Sequence, residues 1–311
     1  MAKYLVTGGA GFIGSHITEE LIKRGEEVRV LDNFLTGKKE NLAPFLADID
    51  LIEGDIRDYT HCQKSVKGID YVLHQAALPS VPRSVSDPIF SNEINITGTL
   101  NMLTAAKEEG NKSFVFASSS SVYGDDQRLP KKEGNEGNPL SPYALGKLTG
   151  EHYCRIFSKL YGFNTVSLRY FNIFGPRQDP FSQYAAAIPN FVTKILENEN
   201  PIIYGDGEQS RDFTFVSNVV EANLLASQAQ NVSGEAFNIA CGARITVNDL
   251  ISEIKTILGK EIPSNFSDPR QGDVRHSHAD ISKAQENLNY QPLIPFSEGL
   301  KKTVSWYEDP A

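Results

Sequence analysis

Tyr143 and Lys147 stand in the only Tyr-x-x-x-Lys spacing of the chain, directly after Ser141-Pro142. Serine is a good helix N-cap and proline suits the first helical position, so a helix starts here. Residues four apart share one helix face, which puts the phenol beside the ammonium. A neighbouring positive charge favours the phenolate, and a phenolate near neutral pH is a general base. The same spacing also describes an ordinary surface pair, so it needs company. Ser118, Ser119, Ser120 and Ser121 provide it, ahead of Val122-Tyr123-Gly124. A hydroxyl at the end of a strand can hydrogen-bond a substrate oxygen and relay its proton, although a Ser-rich tract also serves plain turns.

Gly8, Gly11 and Gly14 follow an apolar run over 3–7 and open a helical pattern. Bare backbone lets a pyrophosphate approach the helix N-terminus, where unpaired N–H groups and the helix dipole favour negative charge. Between a strand and a helix, this spacing predicts a dinucleotide site. Asp32 closes the second predicted strand, 18 residues after Gly14. A carboxylate there accepts hydrogen bonds from an adenosine ribose and repels a 2′-phosphate, which points to NAD rather than NADP. Lys38 and Lys39 follow and would soften that discrimination. Asp55 and Ile56, after the third strand, are placed to meet the adenine.

These residues need a scaffold, and the chain has one. Short apolar runs over 3–7, 27–31, 49–53, 70–74, 113–117 and 165–170 read as parallel strands covered on both faces. Helical patterns lie between them, one with Ile13, Ile17, Leu21 and Ile22 and another over 97–109 ending at Gly110. This order predicts an α/β fold, a Rossmann doubly wound parallel sheet. After Gly175 the pattern changes. A Pro-punctuated loop leads to a helix near 189–198, a strand over 212–216, a helix over 218–228 and a helix capped by Thr246 and Asp249. We read residues 1–175, with about 212–240, as the NAD-binding domain. Residues 176–211 and 241–311 read as a smaller C-terminal lobe.

Composition narrows the function class. The 311 residues carry a net charge of −9, and no basic run suggests nucleic acid as a partner. Three cysteines without a C-x-x-C spacing point to reduced thiols in a cytoplasmic protein, with no metal site built on them. No signal peptide or membrane span is predicted.

The motifs in order resemble the extended short-chain dehydrogenase/reductases of the nucleotide-sugar epimerase group. The resemblance covers nearly the whole chain. It rests on Thr7-Gly8-x-x-Gly11-x-x-Gly14, Asp32-Asn33, Gly54-Asp55-Ile56, His74-Gln75-Ala76-Ala77, Tyr143-x-x-x-Lys147, Arg169-Tyr170-Phe171-Asn172, Gly205-Asp206-Gly207, Arg211-Asp212-Phe213 and Arg270-x-Gly272-Asp273. Val81-Pro82-Arg83-Ser84 and Asp273-Val274-Arg275-His276-Ser277 are most similar to UDP-N-acetylglucosamine 4-epimerases. The resemblance implies that Tyr143 takes the proton of the sugar 4-hydroxyl, that Ser119 bridges the same oxygen and that Lys147 holds the nicotinamide ribose. It implies tightly bound NAD, contacted by Phe12, Ile13, Asn33, Thr36, Gly37, Gln75, Ala76, Ala77, Asn95 and Phe171 in addition to the residues above. It also implies a UDP-sugar contacted by Ser80, Arg83, Ser120, Ser121, Asn172, Ala186, Tyr204, Arg211, Arg270, Asp273 and Ser277. Relatives pair as homodimers through helices here near 97–109 and 143–161.

Three features bear on which reaction and which sugar. Related 4,6-dehydratases and decarboxylases carry an acid near the serine tract, where this chain has Ser120 and Ser121. That absence favours an epimerase over them. By the resemblance, Ser277 leaves room for a 2-acetamido group where a tyrosine would fill it, and Ala186 leaves room too, so UDP-GlcNAc and UDP-GalNAc are the expected pair, with UDP-Glc and UDP-Gal as a further pair. Pro79 departs from the Gly of similar relatives, and Arg83 nearby suits a uronic carboxylate, which keeps UDP-N-acetylhexosaminuronic acids as the alternative. A non-catalytic NAD- or nucleotide-sugar-binding protein is the reading from another class.

Overall fold

Strand and helix alternate through the first half of a computed structural model that describes residues 1–180, 187–269 and 275–309. The order is β1 (Lys3–Thr7), α1 (Phe12–Lys23), β2 (Glu27–Asp32), β3 (Ile49–Glu53), α2 (Tyr59–Val66), β4 (Tyr71–His74), α3 (Val81–Ser86), α4 (Pro88–Asn92), α5 (Thr99–Glu109), β5 (Ser113–Ser119), α6 (Pro142–Tyr161) and β6 (Thr165–Tyr170). The chain continues with β7 (Ile173–Phe174), α7 (Ala187–Leu196), β8 (Ile202–Tyr204), β9 (Ser210–Arg211), β10 (Thr214–Phe215), α8 (Val216–Gln228) and β11 (Glu235–Ile239). It ends with β12 (Ile245–Thr246), α9 (Val247–Leu258), β13 (Asn265–Ser267), α10 (Ser282–Leu288) and α11 (Phe296–Glu308).

Seven strands form one sheet in the order β11-β6-β5-β4-β1-β2-β3, and every pairing in it is parallel. This is the doubly wound Rossmann arrangement. The strand order reverses between β1 and β4, and that reversal opens a crevice at their carboxyl ends. Side chains alternate between the two faces with the period of two that a strand imposes. Val6, Val30 and Val115 pack with Ile17, Leu21 and Leu224 on one face. Leu5, Leu31 and Phe114 pack with Met102, Leu103 and Phe157 on the other. A third apolar cluster joins Phe174, Phe191, Val192, Phe213, Leu250, Ile254 and Val304, drawn from the chain beyond residue 173.

Strands β1, β3 and β6 have the bounds read from the sequence, whereas three other features differ. β5 runs on to Ser119, because Ser118 and Ser119 stay in register with Arg169 and Tyr170 of β6. The strand expected over 212–216 is reduced to β10, with β9 ending just before it and α8 starting at Val216. Between β9 and β10 Asp212 is fully buried, and its carboxylate accepts the N–H groups of Cys241, Gly242 and Ala279 at 3.0, 3.1 and 3.2 Å. β11 was not expected. Asn238 interrupts its apolar pattern, and only the tertiary structure shows that side chain satisfied by the Tyr123 hydroxyl at 2.7 Å. Helix α6 begins as read: the Ser141 hydroxyl accepts the Ala144 N–H at 3.1 Å, Pro142 follows, and Gly162 ends the helix at φ +64°. Among the described residues no helix is long and apolar enough to cross a membrane.

Candidate active site

A cavity of about 900 Å³ runs along the carboxyl ends of β1, β2, β4 and β5, and the glycine segment forms one end of it. Gly8 sits at φ +68°, and a Cβ there would lie 2.8 Å from the Ala76 backbone. A Cβ on Gly14 would lie 2.1 Å from the Gly8 carbonyl. The first turn of α1 is thereby folded tightly onto β1, with Gly11 as an N-cap that brings no side chain. Amides of this turn are left for a ligand, as a pyrophosphate requires.

Asp32 is 7% exposed and is aimed by two backbone bonds. Its Oδ2 accepts the Ala10 N–H at 2.9 Å and its Oδ1 accepts the Phe34 N–H at 2.8 Å. Burial pushes its pKa up, and these N–H groups oppose that. Each oxygen keeps a lone pair for a ribose hydroxyl. Of the two lysines expected to soften the choice of NAD, Lys38 lines the cavity. Lys38 pairs with Asp179 at 3.5 Å and Lys39 with Glu53 at 3.1 Å. Asn33 donates to Asp55 at 2.8 Å, and Arg57 beside Asp55 holds that carboxyl down at about 2. Thr36, Gly37, Ile56, Gln75, Ala76, Ala77, Phe12 and Ile13 line the same end. The cradle, the open helix end and the aimed carboxylate together fit NAD.

Ser119, Tyr143 and Lys147 line the other end of this cavity. Lys147 is 4% exposed; its Nζ donates to the Ala117 carbonyl at 2.8 Å and lies 5.9 Å from the Tyr143 ring centroid. Burial pulls its pKa down to about 8. Burial pushes the Tyr143 phenol up, and the nearby Ser119 hydroxyl pulls it back. Ser80, Arg83 and Asn172 also line the cavity. The Ser80 hydroxyl caps α3 by accepting the Arg83 N–H at 3.2 Å, and among the described residues no carboxylate pairs with Arg83.

Several expected residues lie elsewhere. Asn95 is 2% exposed and outside the cavity lining; its Oδ1 accepts the Leu78 N–H at 2.8 Å, so it supports the 76–80 loop instead. Phe171 is fully buried, 6.1 Å from the Tyr123 ring. Ser120 and Ser121 form a 3₁₀ turn in which Ser119 Oγ accepts the Ser121 N–H at 3.2 Å, and the Ser121 hydroxyl is buried without a partner. Tyr204 and Arg211 stand on β8 and β9. Arg211 donates to the carbonyls of Ser210 and Arg275 at 3.0 and 3.2 Å, and the Ser277 N–H bonds the Ser210 carbonyl at 2.9 Å. Ala186, Arg270 and Asp273 lie outside the described residues.

Sequence reasoning missed others. Tyr170 lines the cavity and donates to Gln75 Oε1 at 3.0 Å. Its signal was its place at the end of β6. Ile173, Arg177, Gln178 and Asp179 also line it. They carried no signal because they follow the point where the strand–helix pattern ends. Ser84 accepts the Tyr143 N–H at 3.1 Å and ties α3 to the start of α6.

Known proteins share this arrangement. The chain is 42% identical to the putative UDP-glucose 4-epimerase of Methanocaldococcus jannaschii over 307 residues, 98% of each chain. It superposes with a TM-score of 0.95 and 42% identity on a UDP-N-acetylglucosamine 4-epimerase from Methanobrevibacter ruminantium M1 in complex with UDP-N-acetylmuramic acid, covering 100% of this chain and 99% of that one. A UDP-glucose 4-epimerase of Thermus thermophilus in complex with NAD matches with a TM-score of 0.90 and 35% identity over 99% and 100% of the two chains. The profile of one family covers residues 4–240. With the glycine cradle, the aimed Asp32 and the Ser119–Tyr143–Lys147 cluster in one cavity, the chain belongs to the NAD dependent epimerase/dehydratase family, the extended short-chain dehydrogenase/reductases.

Proposed function

We propose that the protein is an NAD-dependent UDP-sugar 4-epimerase that interconverts UDP-GlcNAc and UDP-GalNAc. One observation carries the reading: the dinucleotide cradle and the Ser119–Tyr143–Lys147 cluster line a single cavity. Tyr143 Oη takes the proton of the sugar 4-hydroxyl and returns it, with Ser119 Oγ bridging the two oxygens. Lys147, tied to the Ala117 carbonyl, holds the ribose next to the reacting carbon and lends positive charge to the phenol. NAD, when bound, supplies a hydride acceptor that gives back what it takes, so the sugar C4 passes through a ketone with no net redox change. Asn172, Tyr204, Arg211, Arg270, Asp273 and Ser277 hold the UDP-sugar, guanidinium forks being suited to phosphate oxygens. Residues 176–211 and 241–311 form the lobe that carries most of them.

The sugar rests on two supports. Ser277 and Ala186 are small residues at positions where, by the resemblance, bulk would exclude a 2-acetamido group. The similar structure from Methanobrevibacter ruminantium is named for UDP-N-acetylglucosamine. A second reading has its own observation. Arg83 is a cavity cation with no carboxylate partner among the described residues, which suits a UDP-sugar bearing a carboxylate. A homodimer joined through α5 and α6 has support in the exposed apolar side chains of Leu145, Ile156, Leu160 and Tyr161 on α6. The free cysteines suit a reducing, cytoplasmic setting.

The test is a panel of UDP-sugars, with and without N-acetyl and 6-carboxyl groups, offered to the purified protein without added NAD. We expect UDP-GlcNAc to give UDP-GalNAc. No 4-epimerisation of any member overturns the proposal, and turnover confined to 6-carboxyl sugars replaces it with the second reading.

A further inference from the structure

Helix α6 carries a third polar residue in line with Tyr143 and Lys147. Glu151 follows Lys147 by one turn and is 3% exposed. It does not line the cavity. Its Oε1 accepts the Ser118 hydroxyl at 2.5 Å and Arg169 Nε at 2.9 Å, and its Oε2 accepts Arg169 Nη2 at 2.7 Å. Arg169 is 1% exposed and bonds the Tyr123 hydroxyl at 3.0 Å and Glu136 at 2.5 Å. Ser118, Arg169 and Asn238 are neighbours in register on β5, β6 and β11. The network is thus one row across the sheet beneath α6.

Such a row is a poor device for stability alone. A buried ion pair gives up hydration that its attraction repays only in good geometry, and an apolar replacement is often as stable. What it provides is position. Lys147 ties α6 to the carbonyl of residue 117, and Glu151 ties it to the hydroxyl of residue 118. The next residue is Ser119, whose hydroxyl must meet the Tyr143 phenol. Two bonds one helical turn apart fix the end of β5 against α6 both along and around the helix.

We propose that Glu151, clamped by Arg169, is a positioning residue that sets Ser119 against Tyr143 through its bond to Ser118. This rests on the reading of Ser119 and Tyr143 as the proton-transfer pair. Glu151 touches neither sugar nor cofactor and acts only through the strand end.

The experiment compares Ser118→Ala, Glu151→Gln and Tyr143→Phe as NAD-containing protein, measuring kcat, sugar KM, NAD content and the pH dependence of kcat. Ser118→Ala keeps the Glu151–Arg169 pair, so it reports even where Glu151→Gln folds poorly. Misplacing a reacting group by a fraction of an ångström costs about 10-fold or more in rate, so we expect kcat to fall about 10-fold in Ser118→Ala and further in Glu151→Gln. KM and NAD content stay within about twofold of wild type, because no sugar or cofactor contact is removed. The acid limb of kcat moves to higher pH, since a loosened Ser119 no longer lowers the phenol. Lys147, the cation facing Tyr143, is present in both variants. Wild-type kcat and pH profile in Ser118→Ala and Glu151→Gln overturn the inference. So does a loss in Glu151→Gln that tracks NAD content while Ser118→Ala is normal, which marks a merely structural pair. Full activity in Tyr143→Phe overturns the reading beneath it instead.

Discussion

The two ends of the cavity are built in opposite ways. The cofactor end is mostly backbone: close-packed glycines, helix amides, and one carboxylate held by two N–H groups. Its residues come largely from one contiguous stretch, 8–56. The sugar end is side chains from scattered segments, Ser80 and Arg83 at the start of α3, Ser119 and Tyr143 on β5 and α6, and Asn172 after β6. Backbone recognition leaves a spacing rule in the sequence, because only glycine tolerates the close approach. Side-chain recognition leaves residue types alone, and these change with the substrate. The cofactor end should then be intolerant of added atoms, and the sugar end should trade one substrate for another.

Four substitutions separate the ends. Tyr143→Phe should lower kcat about 10³-fold, as loss of a general base does, while NAD still copurifies; activity near wild type would remove Tyr143 from the chemistry. Lys147→Met should show next in stability. Its folded pKa of about 8 lies below the ordinary 10.5, so between those values the unfolded chain keeps a proton that the folded chain has lost. Stability of the cofactor-free protein therefore rises with pH across that window through this group, by up to about 3 kcal/mol. Lys147→Met should flatten the rise in urea unfolding at pH 7 and pH 10, and an unchanged slope would contradict the burial argument.

Gly14→Ala tests the cradle. Its Cβ would meet the Gly8 carbonyl at 2.1 Å. Overpacking of this kind costs about 1–3 kcal/mol, which corresponds to roughly 10- to 100-fold weaker retention of NAD. Full NAD content in this variant would mean that the turn is not a close-approach site. Ser277→Tyr has the smallest effect and the most selective one. It should lower turnover of N-acetylated sugars about 10-fold while sparing UDP-Glc, the scale on which a filled pocket rejects a substituent. Equal loss on both sugars would deny Ser277 a gating role.

How far each end could be read in advance follows from the same contrast. β1, β3 and β6 were legible as apolar runs, the start of α6 from Ser141-Pro142, and the cradle from Gly8, Gly11 and Gly14. β11 was not, because Asn238 looks like a turn residue until Tyr123 and Glu133 are seen to satisfy it. Asn95 was expected among the NAD contacts yet supports the Leu78 backbone. Glu151 stood in regular spacing with Tyr143 and Lys147, but a lone helical glutamate reads as solvated until Arg169 and Ser118 are found against it. Polar side chains buried by partners distant in sequence are what one-dimensional patterns hide.

The central claim is that the two ends share one reaction, with hydrogen leaving the sugar C4 and returning to it inside the cavity. UDP-GlcNAc deuterated at C4, incubated in ordinary water with the protein as purified, tests this directly by mass spectrometry of the UDP-GalNAc formed. The account predicts that the deuterium stays on C4 of the product. Its replacement by solvent hydrogen would contradict hydride return and assign the inversion to proton abstraction from carbon.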